Sequence, residues 1–575
     1  MKKISNRAYW FQKILDYLGV TFLGILLLFI WQLYRGPIDV PFLKPYIMQA
    51  LNYDTTEADI SVGGVSIELV RSLQPIKIVA KDISYKRRDE SLNIKAPRAT
   101  VSFSLKALLR GIIAPSAIAV EAPVVYVFSN YGIKEDDKNE TGKKKLDYYF
   151  KTLEEFLERF DDEDHSYIES YINSIKINGG ELEWHEVDLG HKWSFSDLNY
   201  SFERNILNLS TDLNALVNLG ESMASVGISA EYRHLQEKLA LDIYFSDIVP
   251  QEAVEAILGK TPLQELYQIN IPLSGRISTL IDIKKVLENH NDIMKLADVA
   301  FEQTNFQFEG GQGNVTFKND EESAYKIESF LLEGQLIGGM DKVSVKNAAF
   351  DLGGQQAQIS FEGSGFKKYF LEQSLKDLKM KLTAAVDSLE VNKLYEYWPK
   401  YIATPGWNWC NDSMHDGIIS NAEFTFTFGT NSKGQFGFLD LSGGGDVDGV
   451  SLDYLTGMPK IVNAKGQAAF TKHNIKITAS SGESDGVKLT GGYVDLYDLD
   501  KEDNFADISL EMESSVSDAL KVIDHKPLQY TSDMGLNPDQ LSGEAKTKLD
   551  LKFEMKQNLQ PNEVKVSVIS DITNF

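Results

Sequence analysis

Cysteine is almost absent from this chain of 575 residues, which contains only Cys410. A single thiol cannot form an internal disulfide, so the chain is neither a disulfide-stapled scaffold nor a cysteine-ligated zinc module. Basic residues are also in deficit, because 58 Lys and Arg stand against 83 Asp and Glu, for a formal net charge of −25. A surface field of that sign repels phosphate backbones, so we expect no nucleic-acid partner.

Long hydrophobic runs are scarce, and the only one of membrane-spanning length lies at the N-terminus. The uncharged segment Tyr17–Tyr34 would span roughly 27 Å of hydrocarbon as a helix, just enough to cross a bilayer. The side chains that we predict to anchor it are Tyr17, Leu18, Phe22, Leu26, Phe29, Trp31 and Tyr34. The alternative is a cleaved signal peptide, but Trp-Gln-Leu-Tyr-Arg follows the apolar core instead of a small-residue cleavage site.

The charges that flank this segment predict its orientation. Basic residues are more frequent before the segment than after it: Lys2, Lys3, Arg7 and Lys13 precede it, whereas Arg35 and Lys44 follow it. The positive-inside rule then leaves the short N-terminus in the cytoplasm and everything from about residue 36 onward outside it.

Motifs for catalysis, metals and nucleotides are also lacking. His185 and His191 are six residues apart, whereas a zinc helix needs histidines four apart. Gly443-Gly444-Gly445-Asp446 lacks the Gly-Lys-Ser/Thr of a P-loop, and Gly311-Gln312-Gly313 lacks a third glycine, so we interpret both as turns. Cys410 has no histidine near it except His415. We therefore expect no enzyme activity, no metal site and no cofactor.

What the chain does contain is alternation of apolar and polar residues with a period of two. Ile175 and Ile177 alternate with polar residues, Leu182 and Trp184 do the same, and Asn178-Gly179-Gly180 between them predicts a hairpin. The same alternation recurs at Val101 and Phe103, at Trp193 and Phe195, at Leu198, Tyr200 and Phe202, and at Phe424, Phe426 and Phe428. Glycine pairs at 63/64, 179/180, 310/311, 338/339, 353/354 and 491/492 predict turns or bulges. The pattern indicates consecutive antiparallel strands and not βαβ units.

Helical signals are few. They predict helices in Pro41–Leu51, Leu146–Phe160, parts of 251–268 and 283–302, and Val391–Ile402. The clearest is Leu146–Phe160, an amphipathic segment after the charged run Lys134–Lys145, which we interpret as a cap on a sheet edge. Periodicity alone leaves a sandwich, a barrel and a long curled groove open for the strands.

Several segments resemble bacterial AsmA-like proteins of the YhdP type. They are Arg35–Tyr46 after the anchor, Ser104–Phe128, Tyr397-Trp398-Pro399 with Trp407-Asn408-Trp409, Asp416–Ala422, Val447–Val450 with Tyr454, Leu455–Pro459, Gly466–Phe470 and Gly491-Gly492. The likeness covers most of residues 14–500 and is weak over 130–380. The family pattern often has Arg before the second Trp region, where this chain has Pro405-Gly406-Trp407.

The resemblance implies the repeating β-groove of the AsmA- and TamB-like superfamily. The expected fold is mainly β: an N-terminal transmembrane helix, then an elongated antiparallel β-groove, a curled, taco-like sheet, with a few short helices. It divides the chain into an anchor (1–35), a membrane-proximal β unit (36–130), a charged linker with an amphipathic helix (131–175), a β-groove (176–390) and a YhdP-like segment (391–575). Members usually continue beyond this length, so the chain is expected to be truncated or a fragment.

The function that the resemblance implies is phospholipid transport between the inner and outer membranes. We expect a single-pass protein of a bacterial inner membrane with its bulk in the periplasm, and the partners are the bilayer, phospholipid and other envelope proteins. The predicted groove lining is Val101, Phe103, Ile175, Ile177, Leu198, Tyr200, Phe202, Phe424, Phe426, Phe428, Ile475 and Ile477. The alternative is an envelope structural or outer-membrane assembly factor that binds no lipid; a membrane-bound hydrolase is a third, weaker possibility.

Overall fold

The computed structural model describes residues 6–45, 58–70, 76–129, 151–152, 154–155, 159, 167–187, 191–205, 207–219, 222–250, 267–289, 292–317, 320–372, 374–398, 404–526, 528–556, 559–560 and 563–574. Strands dominate these residues, and the chain divides into two units. Unit 1 is Met1–Ile248 with Leu280–Asp292, and unit 2 is Val249–Thr279 with Ile293–Phe575. The prediction of a mainly β fold with a few short helices is confirmed. The five-segment division of the chain stays a prediction.

The chain begins with helix α1, Asn6–Arg35. Within the described residues, its part Lys13–Arg35 is the one helix long and apolar enough to cross a bilayer. Its large side chains face outward: Tyr17, Phe22 and Tyr34 expose 71%, 68% and 76% of their surface. Leu18, Phe29 and Trp31 are exposed as well, and Leu26 lies in the same helix. An apolar helix that leaves such side chains uncovered is suited to a lipid environment.

Unit 1 is built on one sheet. Its strands are β1 (Ile38–Asp39), β2 (Ala58–Leu69), β3 (Ile76–Arg87), β4 (Leu92–Phe103), β5 (Pro115–Glu121), β6 (Val124–Ser129), β7 (Ser174–Glu186), β8 (His191–Arg204), β9 (Asn208–Asn218), β10 (Met223–Arg233) and β11 (Lys238–Ile248). They pair in chain order, with β5 and β6 end to end along β4 as two halves of one interrupted strand. Among the described residues, the helices of this unit after α1 include α2 (Leu105–Leu109) and α3 (Ile283–Asn289).

The pairing of β7 with the strands before it departs from the prediction of purely antiparallel pairing. Both β5 and β6 run parallel to β7. A parallel pair needs a long crossover, because the chain must return to the starting end of the sheet before it adds the next strand. Residues 130–173 supply that length, and they include most of the predicted linker. The amphipathic helix predicted there, Leu146–Phe160, lies largely outside the described residues.

The hairpin predicted at Asn178-Gly179-Gly180 is wrong. These residues lie inside the single strand β7, at a bulge where its pairing to β8 shifts between Ile177 and Gly180. Gly179 takes the left-handed conformation at φ +63, and its N–H donates to the Asn199 side chain over 3.0 Å. The bulge faces the interruption between β5 and β6, where Ala122 N–H donates to the Asn178 carbonyl over 2.8 Å. The glycines therefore form a bulge at the level where the neighbouring strand is interrupted.

Irregular positions line up across the sheet at that level. We call this line the seam; it passes through Gly63 in β2, Asp82 in β3, Pro97 in β4, Ala122-Pro123, Gly179-Gly180 and Asp197 in β8. Asp82, Ala122 and Asp197 all have positive φ, and a Cβ on Gly63 would lie 2.9 Å from the Cβ of Asp82. Bulges bend a strand and increase its twist, so an aligned row of bulges bends the sheet along that row.

Unit 2 has a main sheet and a small one. The main sheet pairs β13 (Leu273–Asp282), β14 (Gln303–Gly310), β17 (Ser329–Ile337), β18 (Lys342–Asp351), β19 (Gln356–Ser364), β20 (Lys379–Glu390), β22 (Ile418–Thr430), β23 (Phe436–Leu452), β24 (Ile461–Thr471), β25 (Ile475–Ser484), β26 (Val487–Tyr497), β27 (Phe505–Ser515), β28 (Glu544–Glu554) and β29 (Lys565–Thr573) in that order, all antiparallel. The small sheet pairs β12 (Tyr267–Asn270), β15 (Gly313–Phe317) and β16 (Asp320–Ile327), and β21 (Met414–His415) adds to the end of β23.

The helices of unit 2 sit between strands. Those with defined bounds in the described part of the unit are α4 (Ile293–Ala300), α5 (Phe366–Glu372), α6 (Leu394–Tyr397), α7 (Thr404–Ser413), α8 (Val516–Asp524) and α9 (Tyr530–Asp533). Helices α3 and α4 confirm the prediction for 283–302, and α6 lies within the predicted Val391–Ile402. Of the helix predicted for Pro41–Leu51, the structure describes residues 41–45, in which Pro41–Leu43 form a 3₁₀ turn. The helix predicted within 251–268 lies almost wholly outside the described residues.

Candidate functional site

Register in unit 1 places apolar residues opposite one another on strand after strand. The first cross-strand row is Ile38, Ile67, Ile78, Val101, Ile118, Ile175, Phe202, Thr211, Ala230 and Leu241. The second row is Val65, Ala80, Ala99, Val120, Ile177, Tyr200, Leu213, Ile228 and Ile243. Directly paired residues point to the same side of a sheet, so these rows form one apolar face.

The apolar face continues across the seam. A third row beyond it is Ile60, Tyr85, Ile94, Val125, Leu182, Phe195, Val217 and Ala224. In β9, which has no bulge, Leu213 and Val217 are four residues apart and share a side. In β7, Ile177 and Leu182 are five residues apart, and the bulge supplies the extra residue that keeps both on the apolar face. The change of phase in the sequence therefore marks a bulge and not a turn.

Unit 2 has an apolar face of the same kind. One row is Gly275, Phe308, Leu332, Ala348, Ile359, Ala384, Phe424, Gly443, Phe470, Ile475, Leu496, Ala506 and Phe553. A neighbouring row is Ile277, Phe306, Gly334, Val345, Phe361, Leu382, Phe426 and Leu441. A third is Gly445, Ala468, Ile477, Val494, Ile508, Leu551 and Val566.

The two sides of each sheet differ in chemistry. The opposite side carries ion pairs, such as Lys176 Nζ to Glu203 Oε1 at 2.9 Å in unit 1 and Lys552 Nζ to Asp507 Oδ2 at 2.6 Å in unit 2. The apolar side is partly open: Ile228, Ile243 and Phe438 expose 38%, 36% and 45% of their surface. A second sheet packed on this side, as in a sandwich, would bury these side chains.

Aromatic rings on the apolar face of unit 2 lie over glycines of the next strand. A Cβ added to Gly334 would collide with the Phe306 ring, and one added to Gly443 would meet Phe424 Cδ1 at 2.6 Å. Phe424 and Phe470 approach each other across Gly443, with ring centroids 6.0 Å apart. Glycine leaves room for a ring to lie flat on the neighbouring backbone, which makes the face smooth.

This face includes a pocket of about 580 Å³ at one end of β17 to β20. It is lined by Leu336, Met340, Val343, Phe361, Phe366 and Met380, and no polar surface faces it. Phe366 is the first residue of α5, and its ring lies over Gly363 with its centroid 6.2 Å from that of Phe361. The Lys367 ammonium pairs with Asp298 of α4 at 2.5 Å and fixes α5 above the sheet. A wall without hydrogen-bonding groups suits hydrocarbon and disfavours any polar ligand.

The structure divides the predicted groove residues between the two faces. Unit 1 holds Val101, Phe103, Ile175, Ile177, Leu198, Tyr200 and Phe202, and unit 2 holds Phe424, Phe426, Phe428, Ile475 and Ile477. Leu198 lies at the seam opposite Gly180, and Phe428 pairs with Met380 of the pocket. Their role in lipid binding stays a prediction. No sequence pattern predicted Met340 and Phe366, since a turn and a short helix bring them to the face.

His185 and Cys410, considered above as candidates for zinc binding or catalysis, pack against neighbouring groups of the fold. His185 stacks on Phe128 with ring centroids 4.8 Å apart, and its Nε2 lies 3.4 Å from Glu183. Burial raises the pKa of the Cys410 thiol to about 11, so the thiol is protonated at neutral pH. Cys410 and Trp407 lie in α7, next to α6. Tyr395 Oη of α6 donates to the Cys410 carbonyl over 2.7 Å, and Trp407 Nε1 donates to the Trp398 carbonyl over 3.0 Å. These aromatics therefore hold α6 and α7 together.

The two glycine-rich segments that we predicted to be turns have different structures. Gly443-Gly444-Gly445 lies inside β23, so its interpretation as a turn is wrong; the Phe424 ring of β22 covers Gly443, and sequence spacing does not reveal that. Gly311-Gln312 does form the turn between β14 and β15. Within the described part of the chain, no group of three or more His, Cys, Asp or Glu side chains is placed to hold a metal ion.

Comparison with known proteins identifies a family. The family model described as YhdP protein matches residues 159–574. No curated protein matches the chain.

Proposed function

Because this chain belongs to the YhdP protein family, we propose that its two apolar faces bind phospholipid acyl chains and carry phospholipid between the inner and outer membranes. The observation that carries the proposal is the unbroken succession of apolar positions from strand to strand, from Val65 to Ile243 in unit 1 and from Gly275 to Phe553 in unit 2. Acyl chains would lie on these rows while headgroups stay in water.

The dimensions and energies of the faces support this use. At about 4.8 Å per strand, the row of unit 1 extends roughly 38 Å and that of unit 2 roughly 58 Å. Each exceeds the roughly 15 Å of hydrocarbon in one bilayer leaflet. A methylene group held on such a face instead of in water gains about 0.8 kcal/mol when fully buried. The face therefore lowers the cost of moving a lipid out of a bilayer.

We propose that the protein is not an enzyme, because this transport makes and breaks no covalent bond. The faces offer no energy source or direction, so other envelope proteins would supply them. Helix α1 would anchor the chain in the inner membrane, with its N-terminus in the cytoplasm, and the sheets would lie in the periplasm. The excess of basic residues before the helix supports that orientation.

Native mass spectrometry of the full-length protein, released from detergent in the gas phase, tests the proposal. The test variant is F424D/F426D on the apolar face of β22. The matched control is T425D/T427D, which adds the same charges to the opposite side of the same strand. We expect bound phospholipid in the wild type and the control and less in the test variant, with unchanged circular dichroism in all three. Wild-type protein without lipid, or equal loss in both variants, would favour an assembly factor that binds no lipid.

A further inference from the structure

A compact group of uncovered apolar side chains projects from one end of the unit 1 sheet. We call it the rim patch and define it as Leu105, Leu108, Leu109, Ile112 and Ile113, on α2 and the loop after it. Leu105, Leu109 and Ile113 expose 71%, 81% and 74% of their surface, and Leu108 and Ile112 expose 48% and 37%. Contiguous exposed apolar residues of this size mark an interaction site.

The backbone beneath the rim patch is fixed. The Ser104 hydroxyl caps α2 by accepting from the Ala107 N–H over 3.2 Å, and the Ser104 N–H donates to the Ala114 carbonyl over 3.0 Å. Ala107 and Ala114 are fully buried and form a small core with Tyr171. The Arg110 guanidinium donates to Tyr171 Oη over 3.2 Å. The small residues thus face inward and the leucines are held outward.

Strand register places the rim patch beside the membrane helix. Ile38 of β1, Ile67 of β2, Ile78 of β3 and Val101 of β4 lie in one cross-strand row. Helix α1 ends three residues before Ile38, and α2 begins four residues after Val101, so both leave the same end of the sheet. Three strand spacings separate β1 from β4, which is about 14 Å.

The charge of the segment also fits a membrane surface. Residues 104–115 contain Lys106 and Arg110 and no acidic residue, in a chain whose net charge is −25. Short segments with exposed leucines and basic residues lie in the headgroup region, where the apolar side chains enter the acyl layer and the cations meet lipid phosphates.

We infer that the rim patch inserts into the outer surface of the same bilayer that α1 crosses, as a second membrane contact of unit 1. It holds this end of the sheet against the bilayer, so that the strands that start there leave the membrane in a defined direction. The inference rests on α1 being a membrane anchor and does not depend on lipid binding by the apolar faces.

The test uses the full-length chain, with Cys410 replaced by alanine, in nanodiscs of phosphatidylethanolamine and phosphatidylglycerol. An environment-sensitive fluorophore is attached to L109C or to V187C in separate samples. Val187 is the matched control: it is an exposed aliphatic residue, at 55%, beyond the opposite end of β7, about 40 Å along the strands. The readouts are the emission wavelength and quenching by doxyl-labelled lipid or by aqueous iodide.

We expect the fluorophore at position 109 to shift to the blue, to be quenched by doxyl lipid and to be protected from iodide, and the one at 187 to show none of these. Equal iodide quenching at both positions would overturn the inference. So would protection at 109 that appears only when other envelope proteins are present, because the patch would then bind protein. Bound lipid measured on the same sample reports on the apolar faces separately.

Discussion

The ring of Phe424 in β22 lies against the backbone of Gly443, the residue directly opposite it in β23. A Cβ at Gly443 would lie 2.6 Å from Phe424 Cδ1 and 2.5 Å from the Glu423 carbonyl oxygen. The second of these contacts is with backbone, which cannot move aside without disturbing the strand pair. Glycine at this position is therefore a requirement of the apolar face and not a sign of a turn.

We predict that Gly443→Val lowers the free energy of unfolding of unit 2 by about 1–3 kcal/mol, since it forces overpacking between two strands. The matched control is Gly437→Val in the same strand, where an added Cβ meets nothing within 4 Å. Hydrogen exchange at the amides of β22 and β23 measures the effect locally. Equal exchange rates in the two variants would contradict this packing.

The bulge in β7 gives a second prediction. Gly179 has φ +63 and open space around its Cα, so only backbone strain limits its replacement. Gly179→Val should destabilise β7 by about 1–2 kcal/mol, because a β-branched residue is strained in the left-handed region. Gly179→Asn should cost much less, because asparagine tolerates that region. Hydrogen exchange in β7 distinguishes them, and an equal cost for both would show that the bulge is not left-handed.

The pocket under α5 gives a third prediction. Met380→Trp adds bulk inside the pocket, so it should reduce the lipid that the full-length protein retains without unfolding β20. Lys379→Trp is the control, since Lys379 is exposed on the opposite side of the same strand. Lipid is counted by mass spectrometry after extraction. If both variants retain as much lipid as the wild type, the pocket holds no acyl chain.

Local periodicity predicts the strands of this protein well and their connections poorly. The alternation at Phe424, Phe426 and Phe428 identifies β22, because a half-buried strand must show its apolar side chains to one side. The parallel pairing of β5 and β6 with β7 depends on where residues 130–173 return to the sheet, which no local pattern encodes. The interpretation of Asn178-Gly179-Gly180 failed for the same reason. Its structure is set by the interruption at Ala122-Pro123, more than fifty residues away in sequence.

The candidate site was predictable to the same extent. The residues that line the two faces follow from alternation. Two features depended on neighbours that the sequence does not reveal. One is the position of Gly334 and Gly443 under the rings of Phe306 and Phe424. The other is the pocket that Phe366 lines together with Met380. The apolar helix α1 was predictable from composition alone, because an uncharged apolar segment of that length is rare.

Site-specific photo-crosslinking in living cells tests whether acyl chains lie on the apolar faces. A photoreactive phenylalanine analogue is placed at Phe424 or Ile177 on the apolar faces, and at Thr425 or Lys176 on the opposite sides of the same strands. If acyl chains lie on the apolar faces, we expect phospholipid adducts, identified by mass spectrometry, at Phe424 and Ile177 and none at Thr425 and Lys176. Adducts at all four positions, or at none of them, would contradict it.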